Sequence, residues 1–422
     1  MASKKKYNKD QLRLGSQATQ ISTAGLALGI GGLIVALVIG YWQGEPAIES
    51  RGQWGVFLHS YLIGFSFWIS VAAGALWFVL IQHLVQATWS VTVRRTAELL
   101  TAPFGVLGVL SLVIILPIIL GNDDLYLWSN PEIAASDHLI HEKGMWFSGP
   151  FFGLRLAAYI SIMTAISWWF RKQSVAQDQG GHADLTGAMR KWSAPSMLVF
   201  ALTLALMGFD LLMSVEPRWF STMFGLYFFA GCGVAFYASL SILPMLWQKL
   251  GLAKNSITTE HFHDSGNMLF AFVFFWAYIA FSQYMLIWYA NIPEETAFFR
   301  HRLHGSWQPV AIILLLLHFV VPFLALMSRH IKRRRAPLAV FAVWLLVMHW
   351  VDLYWLVMPA YGNPENPAQA VAPSFWSALT ALSATVGVGG LFFWALGRAA
   401  KHVNIIPTGD PRLAKSVAFE NK

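Results

Sequence analysis

The sequence predicts an all-α protein that crosses a membrane ten times. Only 12% of its 422 residues are charged, about half the share of a typical soluble domain, whereas 56% are hydrophobic. Trp is also abundant, with 20 residues, as expected where aromatic side chains mark the two interfaces of a membrane. This composition excludes a soluble enzyme, a disordered chain and a nucleic-acid-binding module.

Ten apolar runs reach the roughly 20 residues that a helix needs to cross about 30 Å of hydrocarbon. Their predicted limits are 22–42, 54–82, 98–121, 149–170, 193–214, 221–248, 266–289, 307–328, 338–358 and 375–398. No cleavable signal peptide is predicted, because the first run is too long for one and no small-residue cleavage site follows it.

The basic residues predict the orientation of these spans. An even number of spans places both termini on one side, and the side richer in Lys and Arg is normally cytoplasmic. Arg155 lies within a span, and only five of the 29 basic residues fall on the side opposite the termini: Arg51, Lys143, Arg218, Arg300 and Arg302. The termini are therefore predicted to be cytoplasmic, and the high isoelectric point needs no nucleic-acid partner.

The ends of the fifth and ninth spans share a pattern. Residues 209–217 read FDLLMSVEP and residues 351–359 read VDLYWLVMP, so that Asp, Leu, Val and Pro recur at equal offsets. The repeat predicts two parallel four-helix bundles, with the first and tenth helices outside them. The predicted divisions are a basic segment 1–21, a flanking helix 22–53, bundles 54–214 and 215–358, an outer loop with the tenth helix 359–398, and a tail 399–422.

Ionisable residues inside spans require an explanation, because placing a charged side chain at the bilayer centre costs on the order of 3 kcal/mol. His349 and Asp352 are three residues apart and share a helix face, an arrangement that suits proton relay or a structural hydrogen bond. Arg155 and Asp210 lie at similar depths and are predicted to pair, either as a structural contact or as a gate. Away from the span ends, the ionisable residues are His59, Arg155, Asp210, His318, His349 and Asp352.

The sequence predicts no redox centre in this chain. The single cysteine, Cys232, cannot form an intrachain disulfide or an iron–sulfur cluster alone, and it is interpreted as a buried apolar side chain. The glycines of 387–390 are interpreted as a helix-packing surface. We therefore expect no metal and no covalently bound cofactor. A protein of this kind either binds a small organic redox carrier such as quinol or conducts protons.

Three stretches of the chain resemble a known family. Residues 275–284 read FWAYIAFSQY and lead to WYANIPEE at 288–295, residues 213–222 read MSVEPRWFST, and Gln82-His83 precede WSV at 89–91 and Arg94-Arg95. These stretches resemble the ten-span membrane subunits of bacterial alternative complex III, in the NrfD/PsrC-like superfamily. Of the two paralogous subunits, the chain is more similar to ActF than to ActC.

The resemblance implies a bacterial inner-membrane subunit with two four-helix bundles and two flanking helices. It implies assembly with an ActC-like paralogue, an outer iron–sulfur subunit, haem c subunits, small membrane subunits and, in some cases, a terminal oxidase, together with lipids. The whole complex would transfer electrons from quinol or menaquinol to cytochrome c or an oxidase, with haem c and iron–sulfur clusters only in the partners.

The family places quinol oxidation on the outer side of the first bundle of ActC, and assigns the ActF-like copy a proton path or a structural role. The residues of this chain that match the quinol region by location are His59, His141, Lys143, Arg155 and Asp210.

The leading hypothesis is a proton-conducting and scaffolding subunit of such a complex. Asp352, His349 and His318 would form a relay in the second bundle, and Asp210 with Arg155 a gate in the first. Three alternatives stay open at this point: a quinol-binding subunit that passes electrons to the iron–sulfur partner, a secondary transporter, and a purely structural anchor.

Overall fold

The computed structural model describes residues 11–44, 52–180, 183–362 and 372–421. Within these ranges the chain is helical, has no strand, and contains ten helices long and apolar enough to cross a membrane, which confirms the predicted class and the multi-pass architecture. Residues 1–10 of the predicted basic segment and residues 363–371 of the predicted outer loop lie outside the described residues. The ten helices are α1 Ser16–Gln43, α2 Gly55–Leu84, α3 Val91–Ile119, α4 Gly149–Gly180, α5 Ala183–Leu211, α6 Phe224–Lys249, α7 Thr259–Ala290, α8 Gly305–Met327, α9 Arg335–Val357 and α10 Phe375–Ala400.

Several helices extend beyond their predicted apolar runs. Helix α3 begins at Val91 rather than at 98, α4 continues to Gly180 rather than ending near 170, and α5 begins at Ala183 rather than at 193. Hydropathy marks only the part of a helix that lies in hydrocarbon, whereas its polar end turns continue into the interface. All three extensions lie at the end of the molecule that holds residues 11 and 421, the first and last described residues, and we call this end the terminal face.

The opposite end of the molecule, which we call the distal face, carries most of the short helices. Pro131–Ser136 and His138–Glu142 lie between α3 and α4, and Pro293–Leu303 lies between α7 and α8. The terminal face carries Arg329–Arg333 and, in the C-terminal segment, Leu413–Val417.

Helix α8 contains a wide turn near its middle. Residues Leu314–Val320 form a π-helical segment that includes the fully buried His318. Pro322 follows this segment, has no backbone N–H, and its ring would crowd the carbonyl four residues earlier in a regular α-helix. The wider turn relieves that conflict, and such turns often occur at functional sites.

Helices α2 to α5 contact one another in a closed cycle, and α6 to α9 form a second cycle. Helix α2 lies at the centre and also contacts α6, α9 and α10. A side chain at Gly74 of α2 would collide with the carbonyl of Cys232 on α6, so the two helices approach closely there. Cys232 is fully buried and has no disulfide partner, as interpreted from the sequence.

Helices α1 and α10 pack against each other along a stripe of glycines. A Cβ at Gly32 would lie 2.6 Å from the backbone nitrogen of Gly387, so the backbones meet with no side chain between them. The structure thus confirms the packing role interpreted for the glycines of 387–390.

Candidate functional site

Asp210 near the distal end of α5 is held by a cation and two neutral donors. Arg155 of α4 donates from Nε to Oδ2 at 2.8 Å and from Nη2 to Oδ1 at 2.9 Å. Trp146 Nε1 donates to Oδ1 at 2.9 Å, and the Tyr159 hydroxyl donates to Oδ2 at 3.0 Å. The structure therefore confirms the predicted pair, and the carboxylate of Asp210 receives four hydrogen bonds in all.

The Arg155 side chain is equally constrained. Its guanidinium carbon lies 4.0 Å from the centre of the Trp146 ring and 4.5 Å from that of Phe151, and its Nη1 donates to the Trp146 carbonyl at 2.9 Å. A bidentate pair with this many further contacts fixes the positions of both side chains. The arrangement favours the structural alternative over a gate, because any movement of either group breaks several hydrogen bonds.

The other three residues of the predicted quinol region do not join this pair. His141 is exposed on the short helix His138–Glu142, and Lys143 donates to the Pro217 carbonyl at 2.8 Å. Burial lowers the pKa of Lys143, with the charge of Asp137 opposing the shift. His59 is fully buried and shares a 2.8 Å hydrogen bond between its Nδ1 and the Gly55 carbonyl.

The ring of His59 packs edge-on against Tyr361 at 5.3 Å, just past the end of α9. The residues that match the quinol region by location therefore do not form one site. Arg155 and Asp210 lie together, whereas His59 contacts the distal end of the second helix cycle.

Asp352 on α9 occupies the equivalent position in the repeat but has a different environment. It is 1% exposed, its Oδ1 accepts from the Tyr227 hydroxyl, and its Oδ2 accepts from Trp276 Nε1 at 3.1 Å. Both donors are neutral, and no Lys or Arg among the described residues lies within ion-pair distance of this carboxyl. Asp352 is thus a buried acid without a compensating cation.

The two histidines predicted to form a relay with Asp352 lie around it rather than in direct contact. The His318 ring stacks on Trp276 with centroids 3.9 Å apart, and neither ring nitrogen has a partner in the described chain. His349 Nε2 lies 2.9 Å from Ser70 Oγ of α2. Because the Ser70 hydroxyl donates to the Phe67 carbonyl at 2.7 Å, it accepts from Nε2.

The remaining nitrogen of His349, Nδ1, is buried with no partner among the described residues and faces Gly231 of α6. A Cβ at Gly231 would lie 2.9 Å from His349 Cε1, so glycine makes room for the imidazole. No hydrogen bond within the described ranges joins Asp352, His349 and His318 directly. A relay through them needs water at the open nitrogens.

A cavity of about 510 Å³ opens between α6, α7, α8 and the short helix Pro293–Leu303. Tyr227 and Trp276, the two donors to Asp352, form part of its wall, so one side chain separates the cavity from the carboxyl. Most of the lining is apolar or aromatic. Gln283 is a polar residue in this lining. Its side chain is 5% exposed, and its Oε1 has no hydrogen-bond partner in the described part of the chain.

Arg302 connects the two helix cycles near this cavity. It is fully buried, lies 2.6 Å from the Glu216 carboxylate, and donates to the carbonyls of Trp355 at 3.2 Å and Leu356 at 2.8 Å. Burial lowers the pKa of Arg302, and the charge of Glu216 opposes that shift. This arginine therefore ties the distal end of α5 to α9 one turn beyond Asp352.

The terminal face contains a buried cluster that balances three arginines with three carboxylates. Arg94 Nη2 lies 2.7 Å from Asp410, and Arg95 Nη2 lies 3.1 Å from Asp178. Burial raises the pKa of Asp410, but the charge of Arg94 and the contacts with Arg412 outweigh it and hold the pKa well below its usual range. The members are Arg94, Arg95, Glu98, Asp178, Asp410 and Arg412.

This cluster revises the interpretation of Arg94 and Arg95 as topology signals alone. Both are fully buried and bind carboxylates from α3, α4 and the C-terminal segment. The predicted cytoplasmic tail also folds back on the helices, since Ile405 and Leu413 are buried. Charge counting missed the contacts with Asp178 and Asp410 because these two partners are distant in sequence.

Sequence reasoning also missed the neutral donors around the two acids. Tyr227, Trp276, Trp146 and Tyr159 occur in a chain rich in aromatic residues, so composition did not single them out. One general signal was present: a buried Tyr hydroxyl or Trp N–H usually finds a polar partner, and acids in spans are few. That signal predicts some pairing but not which ring reaches which acid.

No protein-family model matches the chain, and no curated protein matches it. Among the described residues, no group of three or more His, Cys, Asp or Glu side chains is placed to hold a metal ion. The geometry around Asp352 is therefore the main basis for a functional proposal.

Proposed function

We propose that this chain is an integral membrane subunit that handles protons at Asp352. It would serve within a respiratory complex that transfers electrons from quinol to cytochrome c or an oxidase. The observation that supports proton handling is the environment of Asp352, a buried carboxyl with two neutral donors and no cation at ion-pair distance among the described residues. The respiratory assignment is supported by the sequence resemblance alone.

The environment of Asp352 suits reversible protonation. A carboxyl paired with arginine must break a charge-assisted contact when it takes up a proton, and breaking such a buried pair costs about 3–5 kcal/mol. Asp352 can gain or lose a proton while Tyr227 and Trp276 keep their neutral hydrogen bonds. Intramembrane acids of this kind commonly mark proton relays.

The proposed path runs from the cavity to Asp352 and then towards α2. Tyr227 lies between the cavity and the carboxyl and carries the hydroxyl that would pass the proton. Beyond Asp352, water would connect the open nitrogens of His318 and His349, and His349 already contacts Ser70. Arg155 and Asp210 are assigned a structural role in this proposal.

The grouping of the helices into bundles and their orientation in the membrane are part of the same proposal. The two helix cycles would be the two four-helix bundles, α1 and α10 the flanking helices, and the terminal face cytoplasmic in a bacterial inner membrane. The distal face would dock the iron–sulfur and haem c subunits, next to an ActC-like paralogue. Quinol chemistry and metal centres would then lie in the partners.

The proton role is tested with Asp352→Asn in the purified, tagged complex. The complex is reconstituted in liposomes with a pH-sensitive dye, and quinol-driven proton release and turnover are recorded together. Proton release should fall at least about ten-fold, because a carboxamide cannot take up and release a proton at working pH. Infrared difference spectra should also lose one carboxyl band.

Asp184→Asn is the matched control, since Asp184 is an exposed acid on the terminal face. It should leave proton release unchanged. Unaltered proton release and turnover in Asp352→Asn would contradict the proton role. A colourless protein that purifies without haem c or quinol:cytochrome c activity would contradict the respiratory role, and the infrared measurement would still report on Asp352.

The cavity supports a second candidate, a quinol-binding subunit that passes electrons to an outer iron–sulfur partner. Its aromatic lining and the open Gln283 Oε1 would suit a planar ring that carries a hydroxyl group. Titration with a quinone analogue tests it: Gln283→Leu should weaken binding several-fold, whereas Gln308→Leu at the cavity rim should not.

A secondary transporter has less support from the fold. Such proteins often use interrupted helices at matching positions of two repeats. Among the described spans, the interrupted helices are α3, which is broken at residues 102–103 and at Ser111, and α8, with its π-helical segment. They are the second helix of the first cycle and the third of the second cycle, so their positions do not match.

A further inference from the structure

A groove between α6 and α9 at the terminal face combines an apolar wall with three cations. The cavity measures about 510 Å³, and its apolar wall includes Ile242, Met245, Leu246, Ala339 and Val343. The cations at its end are Lys249, Lys254 and Arg335. Apolar lining lies towards the middle of the spans and positive charge at their terminal-face ends.

These three cations differ from four arginines of the same face that bind carboxylates. Arg94, Arg95 and Arg412 each bind a buried carboxylate, and Arg333 binds Glu260. Over the described ranges, by contrast, the side chains of Lys249, Lys254 and Arg335 form no hydrogen bond or ion pair. Arg335 only places its guanidinium 5.4 Å from the Phe262 ring. The groove therefore carries a local excess of positive charge.

Gln248 adds a second indication of a ligand. It lines the groove, is 6% exposed, and its Nε2 donates to the Ile257 carbonyl at 2.7 Å. Its Oε1 is buried and has no partner in the part of the chain that the structure describes. A buried acceptor without a donor is costly, so a hydroxyl on a bound molecule would stabilise this site.

We propose that this groove binds an anionic phospholipid. Its phosphate would lie among Lys249, Lys254 and Arg335, a headgroup hydroxyl would reach Gln248, and one acyl chain would fill the apolar wall. Charge complementarity selects an anionic headgroup, and the position at the membrane boundary selects a lipid over a soluble anion. A phosphatidylglycerol-type lipid has the phosphate, the hydroxyl and the chains that the groove requires.

The test is a lipid titration of the full-length protein in mild detergent, followed by native mass spectrometry. The probes are phosphatidylglycerol, phosphatidylcholine with the same acyl chains, and glycerophosphoglycerol, which has the headgroup and no chains. We expect phosphatidylglycerol to bind most tightly. The triple variant Lys249→Gln/Lys254→Gln/Arg335→Gln should weaken it by about 100-fold, since each cation near a lipid surface contributes about a five-fold factor.

The matched control is Lys172→Gln/Lys191→Gln/Arg329→Gln, which removes three exposed cations of the same face outside the groove. It should keep phosphatidylglycerol binding. Ala339→Trp should reduce binding with every charge in place, because it fills the apolar wall. The melting temperatures of all variants without lipid show whether they fold.

Equal affinity for phosphatidylcholine and phosphatidylglycerol would overturn the proposal, as would undiminished binding in the folded triple variant. An equal loss in the control variant would show a general charge effect and overturn it too. Glycerophosphoglycerol that binds as tightly as the lipid would identify a soluble-anion site instead.

Discussion

Asp210 and Asp352 occupy equivalent positions of a repeated sequence pattern, yet the structure gives them opposite environments. Asp210 receives four hydrogen bonds, two of them from Arg155, and is fixed as half of an ion pair. Asp352 receives two hydrogen bonds from neutral groups and lies one side chain away from a cavity. Two copies of one pattern thus provide an acid paired with a cation and an acid held by neutral donors.

The difference arises from the neighbouring helices and not from the acid-bearing segments. The partners of Asp210 come from α4 and the loop before it, whereas those of Asp352 come from α6 and α7. In the second cycle, α8 contributes the ring of His318, stacked on Trp276, rather than an arginine. A sequence repeat therefore predicts where acids lie but not whether a cation pairs with each of them.

The largest expected effect is a loss of stability at Asp210, the acid that is paired with Arg155. Arg155→Met leaves the Asp210 carboxylate buried without its cation, and the free energy of unfolding should fall by about 3–5 kcal/mol. The measurement is chemical unfolding in detergent micelles.

The double variant Arg155→Met/Asp210→Asn removes both charges and should recover at least about 1 kcal/mol of that loss. A single variant as stable as the wild type, or a double variant no better than the single one, would show that the pair does not hold the fold as we infer.

Removing one tyrosine hydroxyl at each acid tests the comparison between Asp210 and Asp352 directly. Tyr227→Phe removes one of two donors to Asp352, and Tyr159→Phe removes one of four donors to Asp210. Each should cost about 1 kcal/mol of stability. Only Tyr227→Phe should slow proton uptake, because only its hydroxyl lies between the cavity and the acid that we propose exchanges protons.

The measurement is single-turnover proton uptake in liposomes, with Tyr159→Phe as the internal control. Equal slowing in both variants, or in neither, would remove the functional distinction between the two acids.

The smallest expected effect is on the loop of the distal face between α3 and α4, which contains Asp137. Burial raises the pKa of Asp137, but hydrogen bonds from Arg218 and from the Leu139 and Ile140 amides outweigh it, so the folded pKa is lowered. A lowered folded pKa adds stability above the unfolded value near 3.9, and this contribution is lost as the pH falls through the folded pKa. The short helix His138–Glu142 should therefore loosen below about pH 4.

Asp137→Asn keeps an oxygen for the two amides but loses the contact with Arg218, which is worth less than about 1 kcal/mol at a partly exposed site. Hydrogen exchange of residues 138–143 against pH should then lose its acid-dependent step. Glu142→Gln, at an exposed neighbouring acid, should preserve that step. An unchanged profile in Asp137→Asn would assign the acid response to another group.

Some features of the candidate site followed from the sequence and others did not. The pairing of Arg155 with Asp210 was predictable, because these two opposite charges lie at similar depths on consecutive spans. The relay was predicted from the spacing of His349 and Asp352, yet His349 contacts Ser70 of α2 instead. Helix spacing places two side chains on one face but does not show which neighbouring helix each one meets.

The sequence by itself determined the all-helical class and the ten spans, because hydrocarbon thickness sets the length of an apolar run and lipid excludes unpaired backbone. Only the tertiary structure decided which acid is paired with a cation, which cations on the terminal face have no carboxylate partner, and where the cavity lies. Those properties depend on contacts between helices that are far apart in sequence, and neither composition nor periodicity specifies such contacts.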